Sequence, residues 1–156
     1  MRAVLQRVSE ASVRVDGELI GSCGAGLMIL LGVEKGDTVD DARFLAAKIL
    51  KLRIFEDENR KMNRSILDVD GEALVVSQFT LLANCRHGNR PDYLDSAPPE
   101  EARALYETFR DLLAKELRRV ESGRFGADMQ VALVNEGPVT IVLDTRLLRP
   151  AEPKNP

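Results

Sequence analysis

Tryptophan is absent from this chain; histidine occurs once in 156 residues and cysteine twice. With only His87, Cys23 and Cys85 to draw on, the ligands of a structural zinc site cannot be assembled, and a disulfide framework is excluded. Both cysteines are expected as reduced thiols. Long apolar runs are missing too. None approaches the ~20 residues of a membrane-spanning helix, and the opening "MRAVLQRVSE" alternates charged and apolar residues, unlike a secretory leader. The expectation is a cytoplasmic protein without membrane contact. No GxxxxGK[ST] loop, GxGxxG fingerprint, GxSxG elbow or HExxH helix occurs, which removes the commonest nucleotide, dinucleotide, serine-hydrolase and metalloprotease sites. Gly24-Ala25-Gly26 is followed by no helix N-terminus, so it reads as a turn and not as a phosphate cradle. His87 would need Cys85 or a distant serine to build a nucleophilic site, and it lies in "NCRHGNR", which reads as a polar surface element. Neither metal nor cofactor is expected. A strong excess of one charge is also lacking, with 22 basic and 25 acidic residues and a formal charge of −3. That argues against a broad basic face coating nucleic acid, but not against a grip on the end of an RNA. Such a grip predicts a weaker salt dependence than that of proteins making many phosphate contacts.

What is present fits one soluble domain. Asp16-Gly17, between "SVRV" and "ELIG", supplies the positive φ values of a tight hairpin. "LMILLGV", Leu27 to Val33, is an unbroken apolar run expected as a strand covered on both faces. Asp37 or Thr38 caps a helix that carries Asp40 and Asp41 in its first turn and Val39, Ala42, Leu45, Ala46, Ile49 and Leu52 at helical period. "LRIFEDENRKMN" leads through a short extended piece into a polar loop, and Asp70-Gly71 turns the chain into a strand running to about Ala83. After the loop "NCRHGNRPDYLDSAPPE", the longest helix is expected from Pro99 to Val120. Its stripe is Ala102, Leu105, Phe109, Leu112, Leu113 and Leu117, with Glu100 and Glu101 as charges at its start. Two strands close the chain, "MQVALV" and "VTIVLDT".

Two helices against about seven strands predict an α/β fold: a mixed, strongly curved, barrel-like sheet covered by two helices in a single domain. Two helices cannot cover both faces of an open sheet, so a homodimer is expected. The domain spans 1–146, with a disordered tail at 147–156.

Two interruptions carry the chemistry. In "EALVVSQFTLLA" a polar stretch breaks an apolar strand, with Ser77 and Phe79 on one face and Gln78 and Thr80 on the other if the strand alternates throughout. The residues fit a strand crossing from core to edge. They equally fit a row of hydroxyl, amide and main-chain donors at a pocket mouth, able to hold an ester carbonyl and stabilise its oxyanion. In "NEGPVT" the two poorest strand formers stand between two good strands: Pro138 donates no ladder hydrogen bond and Gly137 packs no side chain.

"VVSQFTL" and "NEGPVT" resemble the two signature motifs of D-aminoacyl-tRNA deacylases. The opening "MRAVLQRVSEASVRVDGELIG", then "GLMILLGVEKGD", "RIFEDENRKMN" and "GRFGADMQVALVNEGPVT" are similar to the same family in order and spacing, so the resemblance covers about residues 1–145. One position departs, since Glu136 stands where the family more often has Asp. The resemblance implies cytoplasmic, cofactor-free homodimers with a barrel-like αβ fold. Their substrates are D-aminoacyl-tRNAs and glycyl-tRNA, whose ester at the 3′-terminal adenosine they hydrolyse. It implies further that Gly137-Pro138 is a cis pair reaching across the dimer as a chirality filter, and that Arg7 braces this segment. Ser77, Gln78, Phe79 and Thr80 would surround the ester, with Thr80 as a positioning group beside a participating ribose 2′-hydroxyl, and Phe125 and Met129 would line the adenine pocket. Taken alone, Arg7 also fits a surface strand, and Phe125 and Met129 fit plain core. Two other functions remain compatible with the residues, an esterase or amidase for small D-amino acid derivatives and a dimeric module that holds the aminoacylated tRNA 3′ end.

Overall fold

The computed structural model describes residues 1–150. Its organiser is β1 (Arg2–Val15), a long strand with a neighbour on either edge. On one edge its first half pairs with β3 (Gly26–Gly32) and its second half with β2 (Glu18–Cys23), both antiparallel. On the other edge β8 (Gln130–Asp144) runs antiparallel along nearly all of it, from Arg2 opposite Asp144 to Arg14 opposite Gln130. β3 continues the sheet in parallel to β6 (Glu72–Ser77), and β6 in parallel to β7 (Val120–Ser122), so the sheet is mixed. β2 then curls back to β7. The Ser22 N–H donates to Glu121 Oε1 at 3.1 Å, and a Cβ on Gly21 would lie 2.6 Å from the Ser122 carbonyl oxygen. The sheet is thereby almost closed into a barrel.

Strand alternation divides the core by face. Ala3 and Leu5 of β1, Leu27, Ile29 and Leu31 of β3, and Ala73 and Val75 of β6 point to the helices α1 (Val39–Lys51) and α2 (Pro99–Ala114). Val8, Val13, Met28, Leu74 and Val76 point inward and fill the barrel. The expected strand covered on both faces is β3. α1 begins as expected at Thr38, whose N–H donates to Asp41 Oδ2 at 2.8 Å.

Several expectations need correcting. α2 ends at Ala114 and not at Val120, because Val120–Ser122 is taken into the barrel beside β6 while Arg118 and Arg119 pair with the buried Glu72. Its buried face is Ala102, Tyr106, Phe109 and Leu113; Leu105 and Leu112 lie at the margin. The polar loop after α1 contains a small hairpin, β4 (Phe55–Glu56) with β5 (Met62–Arg64). The two strands expected around "NEGPVT" are one strand, β8, whose pairing with β1 lapses only over Glu136–Val139. The helix α3 (Thr145–Leu148) occupies the start of the segment expected to be a disordered tail. The remainder of that expectation, 151–156, lies outside the described residues.

Candidate active site

The strand β6 stops at Ser77, and this overturns the simple alternation expected for the polar stretch. The Gln78 N–H still donates across to Leu31 O at 2.8 Å, but Phe79–Leu82 then coils into a 3-10 turn closed by Leu81 N–H to Gln78 O at 3.2 Å and Ala83 N–H to Thr80 O at 3.1 Å. Gly32 makes room for it: a Cβ there would meet Leu82 Cδ2 at 2.5 Å and Gln78 O at 3.0 Å. The fully buried Leu82 anchors the turn to the core. Its outer side carries chemistry. Gln78 Nε2 donates to Thr80 Oγ1, Ser96 Oγ donates to the Phe79 carbonyl at 3.3 Å, and the exposed Phe79 ring meets Tyr93 edge-on at 5.0 Å. The first amides of a helical turn have no acceptor within it, so the N–H groups of Phe79 and Thr80 are the donors this turn offers outward.

Beside the turn lies a cavity of about 670 Å³, within the usual range for small-molecule sites. Ser77, Gln78 and Phe79 form one wall, and Phe125 and Met129 form another. Phe125 is held by the Tyr106 ring, 5.8 Å away between centroids. Tyr106 is itself fixed by its hydroxyl, which donates to Val75 O at 2.9 Å and which burial keeps protonated by raising its pKa. Met129 lies over Gly123, where a Cβ would come within 2.5 Å of its sulfur. Five of the expected site residues therefore meet in one predominantly apolar cavity. Thr80 does not line it and touches it only through Gln78. Lys35, Tyr93 and Ser96 also bound the cavity. Sequence reasoning had no signal for them beyond Lys35 lying inside "GVEKGD".

The second motif is built from register. Gln6 of β1 pairs with Thr140 and Val8 with Asn135, so Glu136–Val139 face Arg7 alone and bulge out of the sheet. The Gly137–Pro138 peptide is cis, and both residues are exposed. Arg7, 7% exposed, secures the base of the bulge: Nε donates to Glu136 O at 2.9 Å and Nη1 to Ile54 O at 2.8 Å, with Glu56 Oε1 3.9 Å from Nη2. Because Arg7 uses the main-chain carbonyl of residue 136, Glu in place of Asp leaves this contact unchanged. Gly137 has φ +137°, and a Cβ on it would lie 2.9 Å from Val139 N and 3.2 Å from Arg7 Nη2. Neither Gly137, Pro138 nor Arg7 lines the cavity beside the 3-10 turn. A single chain thus carries its two motifs apart.

His87 is exposed, and no group of three His, Cys, Asp or Glu side chains among the described residues could hold a metal ion. Cys23 is buried and Cys85 exposed, both free. No helix among the described residues is long and apolar enough to cross a membrane.

Comparison with known proteins matches residues 4–144 to the family model described as D-Tyr-tRNA(Tyr) deacylase. A D-aminoacyl-tRNA deacylase of Roseiflexus castenholzii is 59% identical over 155 residues, covering 99% of this chain and 98% of its own. One from Thermosipho africanus is 55% identical over 146 residues, covering 94% and 98%. Among solved structures, a c-Myc DNA unwinding element binding protein superposes with a TM-score of 0.86 at 45% identity, covering 92% of this chain and 98% of that one. A probable eukaryotic D-amino acid tRNA deacylase shares the fold, with a TM-score of 0.77 at 18% identity and coverage of 91% and 97%.

Proposed function

The chain belongs to the D-aminoacyl-tRNA deacylase family, hydrolases of the ester between a D-amino acid and tRNA, and from that premise we propose that its active site is completed only by a second copy of itself. The observation that carries this reading is the separation of the two motifs. The cavity with Ser77, Gln78 and Phe79 has no part of Gly137–Pro138 in its wall. The Gly-Pro bulge projects from β8 beside exposed apolar side chains, Val134 at 48% and Val142 at 73%. Exposed apolar side chains of this kind favour a partner, and a two-fold axis would present each bulge to the other chain's cavity.

In the assembled site the 3′-terminal adenine lies against Phe125 and Met129, where a flat ring and a polarisable thioether suit a purine. The aminoacyl carbonyl faces the 3-10 turn, and the Phe79 and Thr80 amides receive the negative charge that develops on its oxygen. Water adds to the carbonyl carbon, the bond to the ribose oxygen breaks, and the departing oxygen takes a proton. No histidine or lysine base stands in the motif, so the vicinal ribose 2′-hydroxyl relays that proton, and positioning supplies most of the acceleration of an already activated ester. The partner's bulge offers main chain without a Cβ at residue 137, close to the substrate's α-carbon. An L side chain collides with it, a D side chain points away, and glycine has none. Selection by collision makes glycyl-tRNA a substrate as well.

Matched D- and L-tyrosyl-tRNA test the reading. The purified protein is expected to release D-tyrosine and to leave the L-ester at its spontaneous rate. Equal rates would remove the filter, and protection of the D-ester would leave a binding module in place of an enzyme.

A further inference from the structure

The cavity wall holds a feature that ester chemistry does not use. Of the side chains that bound it, only Lys35 carries a formal charge at neutral pH; the others are apolar, hydroxyl or amide. Lys35 is exposed and enters none of the ion pairs among the described residues. Its main chain is nevertheless fixed on both sides. The Lys35 N–H donates to Asp95 O at 2.9 Å, and its carbonyl accepts from Arg146 Nη2 at 3.1 Å. The turn that carries it is closed by Asp37 N–H to Glu34 O at 3.1 Å and by Glu34 N–H to Asp37 Oδ2 at 2.6 Å. Arg146 Nη1 also holds the buried Glu34 carboxylate at 2.8 Å. Glu34 is thus occupied by a different cation, and Lys35 remains available at the cavity rim.

The ligand proposed above has a matching charge pattern. A nucleotide at the 3′ end of an RNA brings one anion into such a site, the 5′-phosphodiester that joins it to the preceding nucleotide. Its ribose hydroxyls and its ester are neutral. We propose that Lys35 is the phosphate contact of this site, its ammonium taking that 5′-phosphodiester while the base lies against Phe125 and Met129. The proposal rests on the nucleotide reading of the cavity and adds to it a distinction between terminal nucleotide and nucleoside. Lysine suits the task as a point charge on a flexible stem that can follow a phosphate in a strand without secondary structure. A merely solvated lysine would be indifferent to that phosphate.

The test compares two minimal substrates, 3′-O-D-tyrosyl adenosine and the same ester carrying a 5′-phosphate. In the unaltered protein, kcat/KM is expected to favour the phosphorylated ester about fivefold, the worth of one partly exposed ion pair, with the difference residing in KM. Lys35→Met should bring the ratio near one, Lys35→Glu should take it below one, and Lys35→Arg should largely preserve it. Raising the ionic strength should erode the ratio of the unaltered protein, because an exposed pair is screened. The proposal is overturned if that protein shows no preference, or if Lys35→Met keeps the full preference. Failure to hydrolyse either ester, with D-tyrosyl-tRNA still turned over, would instead remove the nucleotide reading of the cavity, and the Lys35 contact with it.

Discussion

Thr80 has the hydroxyl that a nucleophilic mechanism would choose, yet its oxygen already accepts from Gln78 Nε2 and it stands outside the cavity wall. Substitution to Ala should therefore reduce kcat on D-tyrosyl-tRNA by about fivefold, the worth of one neutral hydrogen bond. Complete loss in a folded variant would make Thr80 the nucleophile. Cys23 offers a second test at this scale. Burial, reinforced by the nearby Glu72 carboxylate, pushes its thiol from 9.0 up to about 11. A thiol reagent at neutral pH should label the exposed Cys85 and spare Cys23 until the protein unfolds. The shift also sets a pH dependence. The native state keeps a proton that the unfolded chain releases above about pH 9. The stabilising contribution is complete below that pH and is lost as pH rises toward 11, amounting to roughly 2–3 kcal/mol. Denaturant unfolding of the unaltered protein and of Cys23→Ala from pH 8 to 11 should show the difference in slope; parallel curves would refute the shift.

At the scale of elements, the 3-10 turn depends on a residue outside itself. Adding a methyl at Gly32 forces Leu82 and the Gln78 carbonyl away, so Gly32→Ala should cost about 1–3 kcal/mol of stability through overpacking. The larger effect is expected on catalysis, a loss on the order of a hundredfold, because the Phe79 and Thr80 amides, proposed above to face the ester, would move with the turn. Steady-state kinetics beside urea unfolding separate the two, and a loss of stability with kcat unchanged would dissociate the turn from the reaction. This turn also marks the limit of what the sequence discloses. The hairpin at Asp16-Gly17, the apolar β3, the cap at Thr38 and the mixed curved sheet were legible because local chemistry and tertiary context agree there. The end of β6 was not. "QFTLLA" has strand propensity, yet it coils where Leu82 packs beneath Gly32, a tertiary contact that local sequence does not disclose. The C-terminal part of α2 failed for a similar reason, with helical spacing continuing to Leu117 while the barrel claims Val120–Ser122. Phe125 and Met129, expected from the resemblance, line the cavity, whereas Lys35, Tyr93 and Ser96 come to it from loops whose sequence shows no period.

At the scale of the whole molecule, a shared site has a signature that no single chain can imitate. In the shared site proposed above, Ala127→Trp would fill the cavity and Gly137→Val would obstruct the bulge, so each variant alone should be nearly inactive. Unfolding the two variants together and refolding them should yield mixed dimers with one intact site each, and about a quarter of normal activity. Mixed dimers that form without recovering activity would place both motifs in the same chain's site. The long antiparallel pair of β1 and β8 bears on a different stage of the protein's life. Arg2 finds its partner in Asp144, so β1 lacks its longest neighbour until β8, more than a hundred residues later in the chain, has been synthesised. At about 5–20 residues per second that interval is on the order of ten seconds, and throughout it one flank of β1 remains an open template for foreign strands. Contacts so distant along the chain also slow the final closure. During that wait, a high local concentration of nascent chains should raise the yield of edge-to-edge association.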